Sequence, residues 1–244
     1  MPQHQTHRGQ HPEDARLFDP SQHPLLRAGV ADYSFLLTRG YSNDAALKLV
    51  GDRYQLDVRQ RRALLRAACS EESLQRRAAH CIPLEKLRGE PLIVDGYNLL
   101  ITAESILAGG VLIRGRDGCV RDMASIHGSY RRVVETLPAI ALLGRILTGL
   151  APHSVRWVFD APVSNSARLR ALMLAEALRH GWPWEVELDT GVDPRLAAAE
   201  EIVITSDGWI LDRAARWANL ADRLVEAEQA QPRLIRLDDS APDY

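Results

Sequence analysis

The chain has 244 residues, 46% hydrophobic and 25% charged, which suits ordinary globular structure and leaves room for one medium domain beside a smaller one. No stretch approaches the roughly 18 consecutive apolar residues of a membrane helix, and residues 1–10 lack the apolar core of a secretion signal. The net charge of −2 conceals a partition: residues 25–90 carry 12 Lys+Arg against 8 Asp+Glu, and residues 91–244 carry 16 against 21. That balance suits a basic module that holds a polyanion beside an acidic one that gathers metal. Cys69, Cys81 and Cys119 match no zinc or disulfide spacing, so buried free thiols in a cytoplasmic protein without a membrane partner are expected.

Residues 1–24 are rich in His, Gln and Pro, with His4, His7, His11 and His23 irregularly spaced, and read as a disordered leader without a specific metal site. Residues 25–88 read as a basic all-helical domain. Tyr33, Phe35, Leu36 and Leu37 form an apolar cluster, a break follows at residues 40–43, and a helix over residues 44–50 stops at Gly51. Asp57 then caps a longer helix with Leu64, Leu65, Ala68 and Leu74 inward and arginines distributed around it. Arg59, Arg62 and Arg66 are its candidate nucleic-acid contacts; the alternative is a helical cap whose arginines are merely solvated.

From residue 91 to 240 the pattern becomes that of an α/β domain. Leu92-Ile93-Val94 is an uninterrupted apolar run, as in a strand covered on both faces, and it stops at Asp95-Gly96. Glycine there lets the backbone approach a metal or phosphate. Residues 99–107 begin a helix or an irregular apolar segment with Glu104, and residues 108–120 form a glycine-rich turn or hairpin containing Asp117, with Asp122 just after. A long helix is expected over residues 123–150, with Ile126, Tyr130 and Val133 inward and Pro138 kinking it. Residues 155–160 form a strand ending on Asp160. Ser164-Asn165-Ser166 caps a helix over residues 167–180 with Leu169, Leu172, Met173 and Leu178 inward. Residues 184–188 make a third strand closing on Asp189, and Asp193 opens a short helix. Residues 202–205 make a fourth strand leading to Asp207, residues 209–227 a helix, and residues 234–237 a last strand before an acidic tail.

Such alternation describes a Rossmann-like, doubly wound parallel sheet. Right-handed crossovers put the ends of its strands on one edge, so Asp95, Asp160, Asp193 and Asp207 converge although far apart in sequence. Aspartates held together repel unless a cation sits among them, and Mg²⁺ or Mn²⁺ is the economical partner, able to activate water against a phosphodiester. The Walker loop, the Gly-x-Gly-x-x-Gly turn and the Gly-x-Ser-x-Gly elbow are all missing, which argues against triphosphate hydrolysis, dinucleotide oxidoreduction and serine hydrolysis.

Ile93-Val94-Asp95-Gly96-Tyr97-Asn98, Trp157-Val158-Phe159-Asp160-Ala161 and Val203-Ile204-Thr205-Ser206-Asp207 together resemble the motifs of PIN-like nucleases, especially their NYN branch. The resemblance implies a PIN-like sheet with an acidic metal cluster that cuts RNA, with Asp95, Asp160 and Asp207 catalytic. Asp193 would complete the metal set and Asn98 and Ser206 would support it. In place of the Ala-Asp or Thr-Ala-Asp of many relatives stands Thr190-Gly191-Val192-Asp193-Pro194. Glu104, Asp117 and Asp122 fall outside the matched motifs and would be additions of this chain to the site. The helical segment, with Gly40-Tyr41 and Asp52-Arg53-Tyr54-Gln55, resembles a prokaryotic domain of unknown function joined to such a half.

Arg168 and Arg170 could meet substrate phosphates at a helix N-terminus, and the five tryptophans read as packing rather than base-stacking platforms. Two other functions fit the same residues. One is a non-catalytic RNA-binding protein of PIN-like fold. The other is a metal-dependent phosphatase or phosphotransferase, which would need a partner two residues after its nucleophile, where Tyr97 and Pro162 stand. Substrate preference and oligomeric state leave no trace in the sequence.

Overall fold

The computed structural model describes residues 7–9, 11–124, 128–228 and 233–237. Part of the expected leader is folded. Helix α1 (Asp14–Leu17) and a 3₁₀ turn (Pro20–Gln22) precede α2 (His23–Thr38). Leu17 and Phe18 are buried, and Arg59 holds the buried Asp14 carboxylate through Nε at 2.5 Å and Nη2 at 2.9 Å. Two apolar anchors and one buried ion pair thus order a segment whose composition is otherwise polar. His4 lies outside the described residues.

Helix α3 (Asn43–Arg53) is capped by the Ser42 hydroxyl and runs through Gly51 rather than stopping there. A Cβ on Gly51 would meet the Arg61 guanidinium at 2.3 Å, so this glycine makes room for a neighbour and breaks nothing. Asp57 and Gln60 form a capping box at the start of α4 (Val58–Ala67). The expected long helix then divides, because the backbone is extended at Ala68 and Ser70 before the Ser70-capped α5 (Glu71–His80).

Beyond the link come β1 (Pro91–Asp95), α6 (Gly96–Leu107), β2 (Val111–Arg114) and β3 (Val120–Asp122). Helix α7 (Thr136–Leu150) is only the second half of the helix expected from residue 123. Tyr130 and Val133 lie buried in the segment before it, and Ile126 is outside the described residues. Pro138 occupies the first turn, where its missing N–H costs nothing and no kink is needed. Strand β4 (Ser154–Asp160) leads to α8 (Ser166–His180). There the expected serine cap is absent: Asn165 is left-handed at the N-cap, its amide donates to Tyr130 O, and the Ser166 hydroxyl donates to Ala161 O. Leu169 and Met173 point inward, whereas Leu178 is exposed.

Next are β5 (Trp184–Asp189), α9 (Val192–Ala197) and β6 (Ile202–Ile204). The helix expected over residues 209–227 is interrupted: α10 (Gly208–Leu211) and α11 (Ala221–Ala227) flank β7 (Trp217–Ala218). Last comes β8 (Arg233–Arg236); the acidic tail beyond residue 237 is outside the described residues.

The fold is α/β. Five parallel strands pair in the order β5-β4-β1-β6-β7. Leu92 and Val94 of β1 face the core under α6, α7 and α8, while Ile93 faces the one under α9 and α10, so the central strand is buried on both sides, as its unbroken apolar run requires. β8 does not join this sheet. It pairs in parallel with β2, which pairs antiparallel with β3. Val111, Ile113 and Ile235 of this small sheet complete the core of α2, α3 and α4. The helical module therefore shares its core with the rest of the chain, and α5 leads onto the edge of the large sheet, where Ile82 N–H donates to Trp217 O at 2.7 Å.

Cys69, Cys81 and Cys119 are free, two buried and one half-buried. Among the described residues no helix is long and apolar enough to cross a membrane.

Gly96 opens α6 beneath Phe159, whose ring would meet an added Cβ at 2.5 Å. Close packing is thus a sufficient reason for glycine here. Gly96→Ala is expected to destabilise the protein by about 1–3 kcal/mol, the usual cost of overpacking, measured by urea unfolding; an unchanged midpoint would show that Phe159 moves aside freely.

Candidate active site

Strand β1 feeds α6 and, after the small sheet and α7, leads to β4 on one side; β6 leads through α10 to β7 on the other. The carboxyl ends of β1 and β6 therefore part at a topological switch point, where open α/β sheets form a crevice. Asp95 ends β1 and Asp207 follows β6. Hydrogen bonds stitch the two ends together. The Thr205 hydroxyl donates to Asp95 Oδ2 at 2.7 Å and accepts from Asp207 N–H at 3.1 Å. Asn98 N–H donates to Asp95 Oδ1 at 3.3 Å, while Asn98 Oδ1 accepts from the amide and hydroxyl of Ser206 at 2.9 and 3.0 Å. Asp207 Oδ1 accepts from Trp209 N–H and Ile210 N–H at the start of α10, at 2.8 and 3.2 Å.

The crevice encloses about 590 Å³ and collects Asp95, Asn98, Asp122, Asp193, Ser206 and Asp207, with Arg62, Leu65 and Arg66 contributed by α4. Burial pushes the Asp95 carboxyl up to about 7; the Thr205 hydroxyl opposes the shift, and the charges of Asp207 and Asp193 add to it. Asp193 is raised by burial and then by Asp207 and Asp160, and Asp160 by burial and then Asp189. These carboxylates thus feel one another. Asp122 is held by Thr102 Oγ1 at 3.0 Å and Ala124 N–H at 2.7 Å. Among the described residues, however, no three His, Cys, Asp or Glu side chains lie close enough together to hold an ion by themselves.

Several expected site residues lie elsewhere. Asp160 is not in the crevice wall and is felt there through its charge on Asp193 and Tyr97. Glu104 is wholly buried, accepting from Tyr130 Oη at 2.5 Å, Thr136 Oγ1 at 2.6 Å and Arg8 Nε at 2.7 Å. Burial raises its carboxyl against the pull of Arg8, and its work is to fasten residues 8, 130 and 136 together. Arg59 is turned inward on Asp14 and is not a surface contact. Arg170 donates to Val186 O, and Arg168 borders a separate cavity of about 410 Å³ with Arg131 and Arg132.

Asp117 sits below the crevice in a buried ionic chain. Arg121 donates to both its oxygens at 2.9 and 2.6 Å, to Ser206 O at 2.6 Å and to Arg66 O at 2.9 Å. Arg77 donates to Asp117 at 2.6 Å, to both oxygens of Asp212 at 2.7 and 3.0 Å and to Gly208 O at 3.1 Å. Two guanidinium groups thereby hold the backbone on either side of Asp207. The sequence offered no sign of Arg121 or Thr205 in these roles, because their partners are 85 and 110 residues away.

Taken together, these features define an α/β protein with an acidic crevice at its sheet switch point and a helical module over that crevice. The chain belongs to the family described as "Domain of unknown function (DUF5616)", which matches residues 84–223. Residues 25–79 match "Protein of unknown function (DUF434)". The chain is similar to "Uncharacterized protein MJ0935" of Methanocaldococcus jannaschii, at 28% identity over 196 residues, covering 80% of this chain and 93% of that protein. No solved structure matches.

Burial works against the charged form of Asp117, but Arg121 and Arg77 outweigh it and hold the carboxyl down to about 2. A folded-state value below the unfolded one contributes stability that is present above about pH 4 and is lost as the pH falls through about 2, worth about 2–3 kcal/mol. Asp117→Asn is expected to cost about 3–5 kcal/mol at pH 7 by leaving two buried guanidiniums short of charge. In urea unfolding the gap from wild type should narrow between pH 4 and pH 2; a gap independent of pH would refute the ionic account.

Proposed function

We propose that the protein is a Mg²⁺- or Mn²⁺-dependent nuclease of PIN-like type that cuts RNA in the reducing cytoplasm, its ion taken up in the crevice lined by Asp95, Asp193 and Asp207. One observation carries this reading: Asp95, Asp193 and Asp207, from three separate segments, line a single crevice at the sheet switch point, where the charge of Asp207 raises the proton affinity of both Asp95 and Asp193. Their donors are all hard oxygens, which fit such a cation. Since no three of them close on one point, an ion would be held by one or two carboxylates and fill its remaining positions with water and substrate phosphate, as Mg²⁺ favours. When bound, such an ion supplies an activated water and neutralises charge at the phosphodiester.

The chain's own residues do the rest. Thr205 and Asn98 fix the orientation of the Asp95 carboxylate, and the cap of α10 engages only one oxygen of Asp207, a residue of the crevice wall. Arg62 and Arg66 supply positive charge to phosphate oxygens from the other wall. Asp160 adds field from the neighbouring strand end.

The same spread of the carboxylates favours a second reading, an RNA-binding protein of this fold without catalysis. Metal titration by calorimetry beside cleavage of single-stranded RNA separates the two. In a nuclease, Asp95→Asn and Asp207→Asn each lower cleavage more than about 100-fold and weaken Mn²⁺ binding, with folding preserved. Thr205→Val, which removes only the support, should cost about 10–100-fold in metal affinity. RNA binding without metal uptake or cleavage in the wild type would establish the non-catalytic reading instead.

A further inference from the structure

A second groove, of about 510 Å³, runs from the acidic crevice between the helical module and α10; Leu65, Arg66, Asp207 and Gly208 line both. Its rim carries two exposed aromatic side chains, Tyr41 at 51% and Trp209 at 44%, one from each side of the groove. Trp209 differs from the other tryptophans in this respect: Trp157 and Trp217 are buried to 2% or less and Trp184 to 8%. An indole left open inside a cleft forgoes the burial that ordinarily accounts for tryptophan. The Trp209 backbone is tied down as well. Its backbone N–H donates to Asp207 Oδ1, its carbonyl accepts from Arg213 Nη1 at 2.9 Å, and the Arg213 guanidinium lies 4.0 Å from the ring centroid. The indole is therefore braced by a cation two residues from a crevice aspartate.

We infer that this groove takes an unpaired polynucleotide strand, with a base stacked on Trp209, a neighbouring one on Tyr41 and the backbone entering the acidic crevice past Arg66. The inference rests on the reading that the crevice handles nucleic acid. Stacking on aromatic faces is how proteins hold single strands without reading sequence, and an arginine beside the ring strengthens it. The lining mixes Leu37, Leu65, Ala68 and Cys69 with polar residues, including the hydroxyl residues Ser42, Ser70 and Ser73 and the charged Arg66, Arg77 and Asp212, a poor match for the apolar stripe of an amphipathic peptide helix. A duplex hides its base faces in its own stack and gains nothing from the two rings.

The test uses the full chain in EDTA, so that binding is read without cleavage. A short single-stranded RNA carrying 2-aminopurine is titrated, and the same RNA is titrated as a duplex. Quenching on the single strand, with the duplex bound more weakly, is expected. Trp209→Ala should weaken single-strand binding roughly 5- to 150-fold and reduce the quenching, Trp209→Phe should restore much of both, and Tyr41→Ala should weaken binding independently. If Trp209→Ala does not fold, Tyr41→Ala, in the loop between α2 and α3, carries the decision alone. Unchanged affinity in the aromatic variants, or equal affinity for duplex and single strand, overturns the groove. Cleavage followed separately in Mn²⁺ keeps the two readings apart. Loss of cleavage in Asp95→Asn with no effect of the aromatic variants on binding overturns the groove alone. Aromatic-dependent binding without any wild-type cleavage supports the groove and removes the nuclease.

Discussion

The buried guanidinium of Arg121 is the interaction on which the arrangement depends. It joins β3 to the end of α4 through Arg66 O, to the turn after β6 through Ser206 O, and to the hairpin through Asp117, which passes the connection on to Arg77 and α10. A charge in that position is tolerable only because every direction of the planar group meets an acceptor. The result is geometric. Arg121 thus links the helical module, the small sheet and the segment bearing Asp207, alongside the core that the first two share and the bonds of Arg77, and the crevice is the space left between them.

The aspartates above Arg121 are held on a different principle. Asp95 has a neutral donor, Thr205, rather than a cationic partner, so its charge is left uncompensated. Arg121 reaches the crevice wall, but its hydrogen bonds go to Asp117 and to the Ser206 and Arg66 carbonyls rather than to Asp95, Asp193 or Asp207. Below, full compensation gives rigidity; at the strand ends, incomplete compensation leaves an attraction for cations. Strand topology and ion pairing thus divide the labour between scaffold and site.

Some of this was legible in the sequence because it is local. An apolar run of three ending in Asp-Gly marks the terminus of β1 at Asp95; Asp207-Gly208 follows the apolar run of β6 only after Thr205-Ser206, and it is the recurrence of the arrangement that singles the pair out. Asp193 needed only the short helix after the third strand. What failed was non-local. Glu104, a lone acid in an apolar helix, looks like a ligand until Arg8 is brought beside it, and Arg59 looks like a phosphate contact until Asp14 is. The helix expected from residue 123 failed because Tyr130 and Val133 are buried from an irregular segment before α7, and periodicity cannot distinguish such apolar residues from those of a helix. The two-residue strand β7 is too short to carry any pattern and was absorbed into a helix for that reason. Trp209 was read as core because tryptophan usually is; its exposure at the rim of the groove is what sets it apart.

Strand β8 adds a constraint on how this chain can be made. Its Ile235, with Leu237 just beyond it, packs in the same core as Leu26, Val30 and Leu64 of the helical module, some 170 to 210 residues earlier. Such contacts give the chain a high contact order, with a large loop-closure entropy to overcome before they form. During synthesis the helices of residues 14–80 leave the ribosome long before the strand that seals them. Until residues 233–237 follow, the first module to emerge is the last to be finished, with its apolar face exposed to whatever else in the cell will bind it.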